Sequence, residues 1–321
     1  MKSLLAPFRQ TTGMARWLLV TGVGIVFIFV LAALLAPVIA PYRFDQMEDA
    51  DGQRFTKLSP PGPGHLLGVN DQFYDIFSRI VWGAQTALTV VLLAVLLSLV
   101  IGVVLGLVSG YVGRWIDRVL VFIMDAMYAF PSLLLAIVFS FLLKGVFDSI
   151  GGTLLFGMRP GVLSAALSLT VIYIPQYFRV VRNTTVSARE ATYVEAARAI
   201  GASNVTIMSR YLFSNVIQSV PVIGTINAAD AISTLAALGF LGLGIQPNEA
   251  SEWGYDLSRA LDDAASGIWW TGMFPGIAIV LLVTGLTLIG EGLNETINPT
   301  LRKRRFAPIT LPPRAQEVVA K

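Results

Sequence analysis

The chain has 321 residues, 55% of them hydrophobic and only 13% charged, with a net charge of +3 and a mean hydropathy of +0.70. A soluble domain carries roughly 25% charged residues, so this composition excludes an ordinary soluble protein and points to a bilayer. The absence of cysteine excludes disulfides, thiolate metal ligands and cysteine nucleophiles, and the single histidine, His65, has no second histidine to share a metal with.

Six stretches are long and apolar enough to cross a hydrocarbon core of roughly 30 Å as helices. They run near 17–37, 85–110, 120–143, 162–180, 216–245 and 271–293. The first follows Lys2, Arg9 and Arg16 but exceeds the roughly 7–15 apolar residues of a signal peptide, and Pro41 would follow the only small-residue cleavage site, Ala40. It reads as an uncleaved anchor. Between the first and second spans, Pro60, Pro61, Gly62, Pro63 and Gly64 exclude helix and central strand. Phe73, Ile76, Phe77, Ile80 and Val81 then recur at helical spacing, which predicts an amphipathic helix over 71–82 lying on the outer membrane surface.

The basic residues flank these runs instead of lining one soluble face, so they are read as topology signals and not as a nucleic-acid surface. With the N-terminus in the cytoplasm, sixteen of the 23 Lys and Arg residues fall inside, among them Arg114, Arg118, Arg179, Arg182, Arg189, Arg198, Arg210 and the cluster Arg302, Lys303, Arg304 and Arg305. The outer segments, 38–84, 145–161 and 246–270, hold 12 acids, read as solvated loop charges. Six spans with both termini cytoplasmic is the arrangement that keeps the basic tail inside.

The loop between spans four and five is about 35 residues long, too long for a simple helix connection. Residues 190–200 are good helix formers, Gly201 supplies a C-terminal stop, and Ser203 or Asn204 can cap a second helix leading into span five. Ala196 and Ala197 permit close backbone approach by a partner, and Tyr193, Val194 and Ile200 offer anchors for a groove. On periodicity alone an interfacial helix packed on its own spans fits as well.

The run Glu195, Ala196, Ala197, then three residues, then Gly201, in a cytoplasmic loop before the penultimate span, resembles the EAA motif of ABC importer permeases. Further matches extend the resemblance from about residue 31 to 302: Leu67, Gly68, Asp71, Asp75, Ser78, Arg79, Gly83, Gly110, Tyr111, Asp117, Asp125 and Ala129 to Ser132 upstream, and Gly239 to Pro247, Glu252 to Gly254, Phe274 to Gly276 and Pro299 to Arg302 downstream. This pattern is similar to the second, C-type permease subunit of dipeptide, oligopeptide and nickel importers. There are departures. Phe73 and Tyr74 stand where the family usually has Gly-Arg, Ser214 where it closes the motif loop with proline, and Asn298 where aspartate is common. The acid usually five residues before Phe240 is replaced by Leu235, with Asp230 more than a turn earlier.

The resemblance implies an all-α membrane protein with the type I ABC importer permease fold: six transmembrane helices, both termini cytoplasmic, and a cytoplasmic coupling helix between helices 4 and 5. It divides the chain into an N-terminal anchor and extracytoplasmic segment (1–84), a core permease domain (85–302, with the coupling loop at 182–214) and a basic tail (303–321). The implied function is a permease subunit that forms the path for di- or oligopeptides delivered by an extracytoplasmic binding protein in a bacterial inner membrane. The implied partners are a second homologous permease, two ATP-binding cassette subunits, the binding protein and the bilayer, with no nucleic acid. Residues expected to couple to the ATPase are Tyr193, Val194, Glu195, Ala196, Ala197, Ile200, Gly201, Ala202 and Ser203. Asp125 and Asp230 are expected to face the translocation path or to bind a neighbouring helix, because a carboxylate inside a span is costly unless paired or wet; for Asp125, near the cytoplasmic end, snorkelling or capping is the alternative. Gly102 and Gly106 are expected to pack against the second permease, with a hinge as the alternative.

No GxxxxGK[ST], HExxH or GxSxG motif occurs, so the chain is read as a non-enzymatic subunit with no cofactor of its own, ATP and Mg residing on the partner ATPases. Nickel or another small solute is the alternative cargo within the same architecture. An ion-coupled secondary carrier is the alternative class; it would call for paired ions near the midplane, whereas this chain has one deep acid and no basic partner within the spans.

Overall fold

The computed structural model describes residues 13–149, 157–218 and 220–297. The basic tail, Lys2, Arg9, Asn298 and the Pro299 to Arg302 match lie outside the described residues. The described chain is helical, in the order α1 (Met14–Leu34), α2 (Ala36–Ile39), α3 (Ile76–Val112), α4 (Arg114–Ala129), α5 (Ser132–Ser149), α6 (Pro160–Ala188), α7 (Thr192–Ala199), α8 (Asn204–Thr206), α9 (Phe213–Val216), α10 (Val220–Phe240), α11 (Trp253–Ala265) and α12 (Trp270–Ile297). A π-helical stretch, Ile207–Leu212, joins α8 to α9. Six of these helices, α1, α3, α5, α6, α10 and α12, are long and apolar enough to cross a membrane.

Two expectations about the spans are corrected. The third is not continuous over 120–143. Pro131 disfavours helical backbone at the residue before it, and Phe130 is extended at ψ 139°, so the chain breaks into α4 and α5. Helix α4 is strongly amphipathic and α5 alone makes the crossing. Nor do residues 71–82 form a separate surface helix. Asp75 accepts a hydrogen bond from the Ser78 N–H (2.8 Å) and so caps α3 itself, whose 37 residues run about 55 Å at 1.5 Å per residue. Helix α3 therefore outreaches a hydrocarbon core of roughly 30 Å. Its first turns, with Ile76, Ser78, Arg79 and Val81, are buried under the outer segments and do not lie on a membrane surface. It also passes unbroken through residues 84 and 85.

Helix α6 stands at the centre: 78% of its apolar window is buried, against 11% for α5. Its main neighbour is α3, and the contact is made through small residues. A Cβ on Gly102 would meet Tyr177 Cβ at 2.5 Å, one on Gly106 would meet the Phe178 carbonyl oxygen at 2.8 Å, and one on Gly110 the Thr185 Cβ at 2.7 Å. The small-residue stripe expected to face a second subunit thus binds the chain's own helix, where Tyr177, Phe178 and Val181 fill the space it leaves. Around this pair, α1 packs on α12, α12 on α10 and α11, and α5 on the flank of α6.

Leucine at 106 would press on backbone that cannot retreat, at a cost of about 1–3 kcal/mol. Gly106→Leu is therefore expected to lower the melting temperature of the detergent-solubilised protein. Gly145→Leu, at a position with nothing within 4 Å, is expected to leave it unchanged.

Candidate functional site: a surface helix and a polar recess on the α3–α6 framework

Helix α7 follows α6 after a turn at residues 189–191 and carries the motif residues. Its stop is a Schellman motif: the Gly201 N–H reaches the Arg198 carbonyl and the Ala202 N–H the Ala197 carbonyl, both at 3.0 Å, with Gly201 at φ +81°. Glycine adopts that left-handed backbone without steric cost. Ser203 then caps α8, its hydroxyl accepting from the Thr206 N–H at 3.2 Å. The nine residues expected to face a partner divide in two. Val194 and Ala197 are buried at 0% and 2% and join the core with Ile207 and Leu212, so the chain's own bundle takes up Val194, expected as an anchor for a groove, and Ala197, expected to admit a partner's backbone. Tyr193, Glu195, Ala196, Ile200, Gly201 and Ser203 are exposed, Ile200 at 80%, and Ala202 is half-buried. The i, i+3 spacing of Val194 and Ala197 puts both on one helix face, which fixes the opposite face outward.

Polar contacts tie this loop to the framework. The Tyr111 hydroxyl donates to Asn204 Oδ1 at 2.8 Å, and the Arg198 guanidinium lies 5.6 Å from the Tyr111 ring centre. Arg189 donates to the Gly110 carbonyl at 3.0 Å. Beneath, Arg182 on α6 grips Asp117 on α4 with both Nε and Nη2, the latter at 2.7 Å, while Ser109 on α3 donates to the same carboxylate at 2.6 Å. The Arg182 hydrogen bonds hold the Asp117 carboxyl below the usual range. Three helices thus meet at one carboxylate directly under the loop.

The two acids expected on a path are brought to neighbouring places. Asp125 lies on α4, outside the third crossing helix, and pairs with Arg179 at 3.0 Å; that guanidinium also stacks 4.4 Å from the Tyr128 ring centre. Asp230 sits at the midpoint of α10, exposed, and accepts from the Tyr173 hydroxyl at 2.8 Å. Asp230, Gln176, Tyr128 and Phe130 border a recess of about 190 Å³. Leu235, in place of the family's acid, is buried in the core.

The outer acids divide: Glu48, Asp49, Asp51, Asp148 and Asp262 are exposed as expected, whereas others are not solvated loop charges. Asp75, Glu252, Asp256 and Asp263 are all under a tenth exposed. Asp256 on α11 receives Arg79 Nε at 2.7 and 2.8 Å across 177 residues, and Arg79 also donates to the Phe44 carbonyl and lies over the Tyr74 ring. Trp253 donates to the Ile80 carbonyl and Ser251 to the Arg79 carbonyl. Glu249 binds Lys144 and the Gly161 N–H, Asp71 binds Arg259, and His65 Nδ1 lies 2.9 Å from Asp75. Phe73, where the family carries glycine, has φ +67°, and Asn70 steadies that turn by accepting from the Gln72 and Tyr74 N–H groups. Small partners of the acids were the available signal: Gly239 leaves room for the Glu252 carboxylate, Gly83 for the Trp253 ring, and Gly254 for the Ala236 backbone.

Residues 102–303 match the family of binding-protein-dependent transport system inner membrane components, and residues 14–61 match the N-terminal transmembrane domain of oligopeptide transport permease C. The chain belongs to this family of inner-membrane transport permeases. It is 39% identical to the dipeptide transport system permease protein DppC of Escherichia coli K12, over 88% of this chain and 89% of that one. It is 35% identical to DppC of Alkalihalophilus pseudofirmus, over 89% and 86% of the two chains. The glutathione transport system permease protein GsiD of Shigella flexneri is 35% identical over 86% of this chain and 84% of its own.

Glu252 ties the pH response of the outer segment to its geometry. It accepts from the Gly254 and Tyr255 N–H groups at 2.8 and 2.7 Å, and burial pushes its carboxyl up to about 8 despite those bonds. Burial also raises Asp256 and Asp263. A raised carboxyl binds its proton more tightly folded than unfolded, so its stabilising contribution is full below the unfolded value of 4.5 and is lost as pH rises through about 8. The melting temperature of the solubilised protein is expected to fall over that window. Glu252→Gln is expected to flatten the fall, and an unchanged slope in a folded Gln variant would refute the assignment.

Proposed function

We propose that this chain is one of two homologous permease subunits of an ATP-driven peptide importer. In this reading both termini and α7 face the cytoplasm, and residues 38–75 and 246–270 face outward, where a binding protein delivers di- or oligopeptides. The exposed face of α7 docks in a cleft of an ATPase subunit, which supplies ATP and Mg. Closure of the ATPases moves α7, and the movement passes through the contacts at Tyr111, Arg189 and Asp117 to α3, α4 and α6. Coupling then rests on differential contacts: ATP favours one of two states through the grip on this loop.

The observation that carries the reading is the division of α7 into one face locked in the core and one free face that holds the motif's Glu195, Ala196 and Ile200. The peptide cargo is supported by relatives named for dipeptide and glutathione transport. The sixteen basic residues on the proposed inner side support the orientation.

Two substitutions test it. Glu195→Lys changes the free face alone, and Gly201→Val forces a left-handed backbone on a branched side chain at a local cost of about 1–2 kcal/mol. Purified in mild detergent, both variants are expected to retain the second permease and to lose ATPase subunits about tenfold, as a weakening of about 1.4 kcal/mol would give. Peptide uptake is expected to fall with them. Wild-type uptake by both variants would overturn the coupling role, and solute movement by the chain alone without ATP would favour an ion-coupled carrier.

A further inference from the structure

Asp230 stands at the midpoint of a helix that crosses the membrane, exposed on the surface of the chain. A carboxylate at that depth is not stable against lipid tails, so this face of α10 meets water or another subunit. The aspartate is also held in place. Tyr173, itself fully buried, donates to one carboxylate oxygen at 2.8 Å, and the Thr234 hydroxyl lies 3.5 Å from the same phenol. The other carboxylate oxygen has no hydrogen-bond partner among the described residues.

The surroundings define what that oxygen can take. Among the described residues no Lys or Arg lines the recess, and Arg179, one turn beyond Gln176 on α6, is engaged by Asp125 and stacked on Tyr128. Asp125 and Arg179 cancel, which leaves the wall with the charge of Asp230. The recess beside it offers one carboxylate, the Gln176 amide and Phe130, with Tyr128, already stacked by Arg179, at its border. Carboxylate plus aromatic face is the chemistry that recognises a cation, through a charge-assisted hydrogen bond and a cation–π contact. An anion would meet the unneutralised charge, and a purely apolar group would leave it unpaired. At about 190 Å³ the recess holds an amine with a small side chain and not a whole peptide.

We infer that this recess is a subsite for a protonated primary amine of the transported solute. The inference rests on the peptide-importer reading, in which that amine is the N-terminal ammonium of the cargo. Asp230 is the recognising group, Tyr173 holds it, and Gln176 lies within the same recess for the first peptide carbonyl.

The test is photolabelling of the purified complex, containing both permeases and the ATPase subunits, without binding protein. The probes are a diazirine-bearing dipeptide with a free N-terminus and its N-acetyl twin. The free-amine probe is expected to label peptides from α4, α6 and α10 about tenfold more than the acetylated one, the ratio that a lost charge-assisted contact gives. Asp230→Asn is expected to bring labelling by the two probes to the same low level with the second permease still bound, and Asp230→Glu to keep the preference. Undiminished free-amine labelling of Asp230→Asn would overturn the assignment while leaving the peptide reading intact. Loss of the second permease from Asp230→Asn would overturn it as well, since Asp230 would then be half of an intersubunit ion pair. If neither probe labels the wild-type complex anywhere, the peptide reading itself fails and this subsite fails with it.

Discussion

The close approach of α3 and α6 is the constraint on which the rest of the structure depends. Between apolar helices in lipid there is little hydrophobic drive to associate, so contact has to come from surfaces that fit. Gly102, Gly106 and Gly110 supply that fit at successive turns of one face, and Tyr177, Phe178, Val181 and Thr185 fill it from the other side. Each functional feature is attached to this pair. Tyr111 and Gly110 join it to the motif loop at one end, Arg79 and Trp253 join it to the outer segment at the other, and Tyr173 and Gln176 project from its middle toward Asp230. A displacement at either end therefore meets a stiff body and not a set of independent rods.

The two ends are stiffened by different means. At the outer end the Arg79–Asp256 pair is buried on both sides, and removal of either partner would leave a lone charge without water. Such a pair gives little net stability over an apolar contact but fixes one arrangement. The hydrogen bonds to Phe44, the Tyr74 ring and the Ser251 contact extend that fixed arrangement to the whole outer segment. At the motif end the contacts are more exposed and more easily exchanged. The π-helical stretch Ile207–Leu212 and the short helices flanking it lie between α7 and α10, so the backbone there departs from the regular ladder that α3 keeps. The buried network at one end is thus rigid, and the connection at the other is irregular.

Much of this was legible in the sequence. Hydropathy placed six crossing helices, and the run from Glu195 to Gly201 located the surface helix with its glycine stop. What escaped was information that period and composition do not carry. Pro131 splits the third span because it constrains the backbone of Phe130, a local effect that outweighs a continuous apolar run. Val194 looks like a partner anchor and Ala197 like a point of close approach when side chains are weighed singly, yet their shared helix face turns them inward. The paired acids of the outer segment look solvated in the sequence because their partners are up to 188 residues away in the chain, as Asp71 and Arg259 are. Gly83, Gly239 and Gly254 were the local trace of that buried network: each is a position where a side chain has been removed to admit an acid, a ring or a backbone from elsewhere.

Exposure has a particular meaning in such a chain. Large apolar side chains stand free on α5 and along α3, with Phe141 at 75% and Leu92 at 60%, and lipid and a second subunit satisfy them equally. Apolar exposure therefore does not distinguish the two neighbours. Polar exposure does, because hydrocarbon rejects it and a partner or an aqueous path accepts it. On the crossing helices that argument selects the wall where Asp230, Gln176 and Arg179 meet the joint between α4 and α5. The break at Pro131 is part of the same design: by ending α4 at Ala129 it brings Tyr128 and Phe130 beside α6, where a straight helix would have carried them past. The departure from regular structure that the apolar run concealed is thus what gives the polar wall its shape.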